Sequence, residues 1–229
     1  VRRRGEFIIA ELGDGSTLEA DKLLYAAGRQ GNTVGLGLEA LGLEADKRGL
    51  VPVNKTFQTA VPHVYAVGDV VGFPALASTS MEQGRVAAQH ACGVLEKVPA
   101  QELLPYGIYT IPEVSTVGET EQSCAKKGLA YAVGRAFYRD NARGKILGDS
   151  EGLVKLLFKP DGDRKLLGVH ILGDRASELV HIGQLALHMG ASVDVLVEMT
   201  FNHPTLSECY QQAAHDGLAR LRRAAQARG

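Results

Sequence analysis

The stretch "GLVKLLFKPDGDRKLLGVHILG", residues 152–173, constrains the fold most tightly. Two apolar, β-branched runs flank "PDGD", a turn sequence that supplies Pro, Asp and Gly where a chain must reverse, so the segment predicts an antiparallel hairpin. Before it come "GIYTIPEVSTVG", read as a strand; "ETEQSCAKKG", a short helix closed by Gly128; and "LAYAVGRAFY", which alternates as a strand. After it come two helical stretches, "DRASELVHIGQLALHMG" and "SVDVLVEMTF", and a last helix from about residue 205 to 226. Strands followed by helices, rather than strict alternation, predict an antiparallel sheet with helices on one face.

The first hundred residues read differently. They hold short strands, many glycines and one helix near "TSMEQGRVAAQHACGVL", where Met81, Val86, Ala87, His90 and Val94 recur near helical spacing. A hairpin is expected at the start, from "EFIIAEL" through "GDG" into "STLEADKLLYAA". A chain that opens mid-sheet predicts a piece of something longer. The two prolines of "KVPAQELLPYG" mark a connector. The expected organisation is therefore 1–100, a remainder of α/β nucleotide-binding domains, and 101–229, an α+β domain.

Composition narrows the partners. A net charge of −1 gives no electrostatic case for nucleic acid or a membrane surface, and no apolar run approaches the length of a bilayer span. Cys92, Cys124 and Cys209 are odd in number and far apart, offering neither a CxxC pair nor a disulfide framework, so a reducing cytoplasm is the expected setting. His181 and His188 share a helix face but lack the i, i+4 spacing and further ligands of a zinc site. The basic end "RLRRAAQAR" reads as a frayed, solvated helix terminus whose cations suit the macrodipole.

Two glycine motifs need separating. "GLGLEA", Gly35 to Ala40, fits GxGxxG/A, but "RQGNTV" separates it from the preceding strand. A pyrophosphate loop must join strand directly to helix, so this one reads as a glycine-rich connector with a short helix. "VPHVYAVGDV", residues 61–70, is more informative: an apolar strand runs into Gly68 and Asp69. Gly68 permits close backbone approach, and Asp69 can accept hydrogen bonds from hydroxyls, although an Asp in a turn has the same spacing.

Taken in order, "YAAGRQGNT", "VYAVGDV", "ALAS" and "IYTIPEVSTVG" resemble the two-dinucleotide-binding flavoprotein disulfide reductase family, which includes lipoamide dehydrogenase, glutathione reductase and the soluble pyridine nucleotide transhydrogenases. The resemblance implies a tail of a Rossmann-like NAD/FAD-binding region followed by an antiparallel-sheet-plus-helices dimerisation domain. It implies FAD and NAD(P) as cofactors of a full-length parent and a homodimer as its assembly. Gly68 and Asp69 would hold the flavin ribityl and phosphate region, Ala75, Leu76, Ala77 and Ser78 would run beside the isoalloxazine ring, and Gly28 would lie near the nicotinamide nucleotide. The family's N-terminal and central GxGxxG motifs and its CxxxxC are not in this sequence. A chain without the first of these is expected to bind FAD weakly or not at all.

"FNHPTLSE", residues 201–208, supports two readings. Thr205-x-x-Glu208 has the spacing of a capping box. The resemblance places His203 and Glu208 on the HPTxxE of the disulfide-reducing members, where the His is the acid/base toward a substrate thiol and the Glu orients it. Histidine suits proton transfer because both its protonation states are accessible near neutrality. The segments "YTIPEVSTVGETEQ", "YAVGRAFYRDNARGKILG", "ASELVHIGQ" and "TFNHPTLSECYQQAAHDGLARL" are most similar to the transhydrogenase branch, which passes hydride from NADPH to NAD through flavin. That branch usually carries Tyr in place of His203. A disulfide reductase and a non-catalytic dimerisation module remain the competing readings.

Overall fold

In a computed structural model, residues 1–96 and 103–227 are described, and they divide into two compact units, Val1–Glu96 and Lys97–Gly229. Most of the connector "KVPAQELLPYG" falls outside the described residues.

The first unit opens with an antiparallel meander of β1 (Arg2–Arg4), β2 (Phe7–Glu11) and β3 (Thr17–Ala20). Its turn is set by Asp14, whose carboxylate accepts from the Ser16 amide at 2.8 Å, and by Gly15 at φ 83°. The hairpin is as expected, but its second arm ends at Ala20. "KLLYAA" forms no strand, and Leu24 and Tyr25 stand 88% and 79% exposed, because no neighbouring ladder among the described residues pairs with them. "VYAV" is reduced for the same reason to one isolated bridge, Gln58 to Tyr65. Helix α1 (Ala77–Ala91) packs through Thr79, Gln83, Val86 and Ala87. Met81 and Val94 are exposed, so the inner stripe is not the one that apolarity alone selects. A helix face is chosen by its partners, and here two polar residues lie on it.

The second unit is a five-stranded antiparallel sheet in the order β4-β5-β8-β7-β6, built from β4 (Tyr106–Ile108), β5 (Val114–Gly118), β6 (Ala132–Phe137), β7 (Leu153–Phe158) and β8 (Leu166–Leu172). "GIYTIPEVSTVG" is two strands, β4 and β5, which pair with each other. Helix α2 (Glu121–Lys127) begins at a Thr120–Ser123 capping box and ends on Gly128 at φ 65°. A short α3 (Ala142–Leu147) follows β6, and α4 (Ala176–His188), α5 (Val193–Glu198) and α6 (Glu208–Gln226) close the chain. Val117, Val154, Leu156, Phe158, Val169 and Ile171 of the sheet share one core with Leu179, Val180, Tyr210, Ala213 and Ala214 of α4 and α6.

One contact fixes how closely α6 approaches the sheet. A Cβ on Gly134 of β6 would overlap the Ala213 carbonyl, and a Cβ on Gly217 would come 2.6 Å from the Phe158 ring and 3.1 Å from the Gly134 Cα. The helix and strand backbones therefore touch, which only glycine allows. The amphipathic face of α6, Tyr210, Ala213, Gly217 and Leu221, is seated as its spacing predicts, and Leu206, expected on the same face, is buried in the loop before the helix. Beyond Leu221 the helix continues to Gln226 with its basic residues exposed.

Candidate active site

The loop before α6 brings His203 and Glu208 together. The His203 Nδ1 lies 2.9 Å from Glu208 Oε1, and Glu208 Oε2 accepts the Thr205 backbone N–H at 2.9 Å. The helix starts at Glu208, with Ser207 as its N-cap, rather than near residue 205. The Thr205 hydroxyl donates to the Asn202 carbonyl at 2.7 Å instead of accepting from the helix. Half of a capping box is thus made, by the carboxylate alone. The other carboxylate oxygen is free for the imidazole, so cap and pair coexist in one side chain.

The electrostatics follow from that division. The Thr205 amide, then the His203 contact, hold the Glu208 carboxyl below its usual range against the opposing effect of burial. A carboxylate only accepts, so Nδ1 of His203 must carry the proton, leaving Nε2 as the ring nitrogen available for proton exchange. The Glu208 side chain is 19% exposed and that of His203 68%, so a braced base supports an accessible imidazole. Helix α6 is itself anchored: the Tyr210 hydroxyl donates to the Leu179 carbonyl at 2.8 Å and accepts the Gly183 amide at 3.2 Å. The neighbouring Cys209 is fully buried, and burial pushes its thiol up to about 12, so it supplies no thiolate nucleophile.

The other expected residues lie in the first unit. Gly68 opens a 3-10 turn, Gly68–Val71, at φ 82°, and its amide donates to Gln83 Oε1 at 2.7 Å, tying the turn to α1. Asp69 keeps a half-exposed carboxylate, 3.8 Å from the Arg29 guanidinium. Gly28, at φ 108°, precedes that arginine, so the two expected loops meet through a residue that motif reasoning passed over. Ala75 and Leu76 lead into α1, and Ala77 and Ser78 are its first two residues. Ala75, Ala77 and Ser78 are exposed, and no side chain caps the helix. An acceptor for hydroxyls thus lies on a turn packed against a helix whose first amides are open to a carbonyl. Gln83 was legible only as a polar residue on a packed helix face. Arg29 was legible as the lone cation beside Gly28.

His181 and His188 are exposed, and no group of three side chains suited to a metal ion occurs among the described residues. Among them, too, no helix is long and apolar enough to cross a membrane.

Comparison with known proteins gives a consistent picture. The family described as "Pyridine nucleotide-disulphide oxidoreductase" matches residues 1–89, and its dimerisation domain matches residues 104–214. The chain is 53% identical over 215 residues to a soluble pyridine nucleotide transhydrogenase of Mycobacterium tuberculosis, covering 93% of this chain and 45% of that protein. It is 49% identical over 217 residues to one of Yersinia pestis, covering 93% and 46%. It therefore spans about half the length of the curated relatives it matches. Among solved structures, LpdA from Mycobacterium tuberculosis superposes with a TM-score of 0.83 at 28% identity, over 93% of this chain and 46% of that one. The Escherichia coli flavoprotein disulfide reductase RclA, in its Cu(II) complex, shares the fold at a TM-score of 0.85 and 24% identity, over 93% of this chain and 48% of that one.

Proposed function

Since the chain belongs to the pyridine nucleotide-disulphide oxidoreductase family, we propose that it is the C-terminal part of an FAD-dependent soluble pyridine nucleotide transhydrogenase. The observation that carries this reading is the 53% identity, over 93% of the chain, to a relative of that name. In it, residues 1–100 complete nucleotide-binding domains and residues 101–229 form a homodimer interface.

The first unit's residues fit a flavin. Asp69 would accept from ribityl hydroxyls, Gly68 would let the chain approach, and the uncapped start of α1, from Leu76 to Ser78, would face a ring carbonyl. Gly28 would lie toward the nicotinamide nucleotide. When bound, the flavin would supply the hydride relay between NADPH and NAD. The Arg29 guanidinium, 3.8 Å from the Asp69 carboxylate, would lie beside those hydroxyls.

A second reading rests on a specific observation, the 2.9 Å contact of His203 with Glu208. That pair would serve a lipoamide dehydrogenase-like disulfide reductase, with His203 Nε2 exchanging a proton with a substrate thiol and Glu208 fixing the tautomer. The test uses a protein with the full length of the relatives. Reduction of an NAD analogue by NADPH, set against NADH-dependent lipoamide reduction, separates the two. The first reading expects transhydrogenation to dominate and to survive His203→Tyr. Dominant lipoamide reduction, lost in that variant, would replace it with the second. The chain by itself is expected to retain no stoichiometric flavin absorbance through gel filtration and to sediment as a dimer.

A further inference from the structure

We infer that Asn141 is a positioning residue for the His203–Glu208 pair, acting through the Thr205 peptide. The inference rests on that pair being the acid/base device of the second reading, or a relic of it that still assembles. Asn141 is fully buried, and its carboxamide is divided between two partners far apart in sequence. Its Oδ1 accepts the Arg143 amide at 2.9 Å and the Gly144 amide at 3.2 Å, capping α3. Its Nδ2 donates to the Thr205 carbonyl at 3.1 Å. Because Oδ1 faces two donors and Nδ2 faces an acceptor, the orientation of the amide is determined.

The consequence lies one bond further on. The same Thr205 whose carbonyl is held by Asn141 gives its N–H to Glu208 Oε2, and Glu208 Oε1 meets His203 Nδ1. The Thr205 hydroxyl closes the loop on the Asn202 carbonyl. Buried amide, peptide, carboxylate and imidazole therefore form one chain of hydrogen bonds. Its buried end is anchored on the short turn after β6, where Asn141 N–H donates to the Tyr138 carbonyl at 3.0 Å. Only a side chain with an acceptor and a donor at the same reach does both jobs. Ser or Asp can cap α3, but neither supplies the Nδ2 donor to Thr205.

That difference makes the test. In the ¹⁵N-labelled chain at alkaline pH, long-range ¹H–¹⁵N spectra report which ring nitrogen of His203 bears the proton. Wild type should show the Nδ1–H form, and Glu208→Ala should shift it toward Nε2–H. Asn141→Ser should move His203 toward the Glu208→Ala spectrum and speed Thr205 amide exchange roughly tenfold, the scale of one net hydrogen bond. The Gly144 amide should keep its protection, since Ser still caps α3. Wild-type imidazole shifts and wild-type Thr205 protection in folded Asn141→Ser would overturn the inference. If that variant does not fold, Asn141→Asp, near-isosteric and still a cap, is judged by the same two readouts. If Glu208→Ala leaves both activities of the full-length protein unchanged while Asn141→Ser still shifts the tautomer, Asn141 positions the pair but the pair is not catalytic.

Discussion

The two units spend their apolar residues differently. In the second, Tyr138, Phe158, Leu156 and Tyr210 are wholly buried in one core between sheet and helices. In the first, the principal cluster is Phe57, Val86 and Ala87 with a few half-buried neighbours, while Val34, Leu24 and Phe73 stand 95%, 88% and 87% exposed. Most apolar runs of the second unit's sheet and long helices find their partners in that core, although Ile111, Tyr109 and Met189 stand exposed. Among the described residues, several in the first, Leu24 and Val34 among them, are left at the surface. Local pattern alone therefore misplaces whole strands in the first unit, whereas in the second it misplaces boundaries and a cap.

The largest expected effect comes from emptying the closed core. Phe158→Ala should cost about 4 kcal/mol in urea denaturation, since the ring packs against Gly217 in a region with no slack. A loss below about 1 kcal/mol would mean that the second unit is as loosely filled as the first. Next, Gly134→Ala should cost about 3 kcal/mol by prising α6 off β6, because the added methyl would meet helix backbone at Ala213 and Gly217 rather than a movable side chain.

A smaller effect is a pH dependence seated in the second unit. Burial lowers the affinity of His170 for a proton below its ordinary value of 6.5, only partly offset by its bond to the Glu119 carbonyl, while nearby Lys155 pushes the same way. The folded state therefore binds that proton more weakly than the unfolded chain. The corresponding stability is fully present above pH 6.5 and is lost as pH falls through the lower folded value. Comparing urea midpoints at successively lower pH should show a decline that flattens in His170→Gln. The smallest effect belongs to the first unit. Met81→Gln, at a position that apolarity marks as core but which is 70% exposed, should change stability by less than about 0.5 kcal/mol. A loss above about 2 kcal/mol would show that Met81 is covered in solution and would break the contrast between the units.

These contrasts also mark what was legible beforehand. The β7–β8 hairpin, the Gly128 cap and the apolar face of α6 depend on near neighbours in sequence, and each formed where its pattern placed it. The strand reading of "KLLYAA" failed because a strand exists only through its ladder, which no sequence segment supplies alone. At the site, the pairing of His203 with Glu208, five positions apart, was readable only through the family resemblance. Asn141 was not, because a bond spanning 64 residues leaves no local trace. The pairing of Arg29 with Asp69, 40 positions away, lay hidden for the same reason.

The touching glycines of β6 and α6 have a consequence beyond packing. A cylinder resting on a plane can roll and slide, but one keyed at a single point cannot. Gly217 lies nine residues, about two and a half turns, after Glu208. A slip of one residue at the key would carry the carboxylate about 1.5 Å along the axis and swing it through about 100°. Two missing side chains, one on the strand and one in the middle of the helix, thereby set the aim of the one at its mouth.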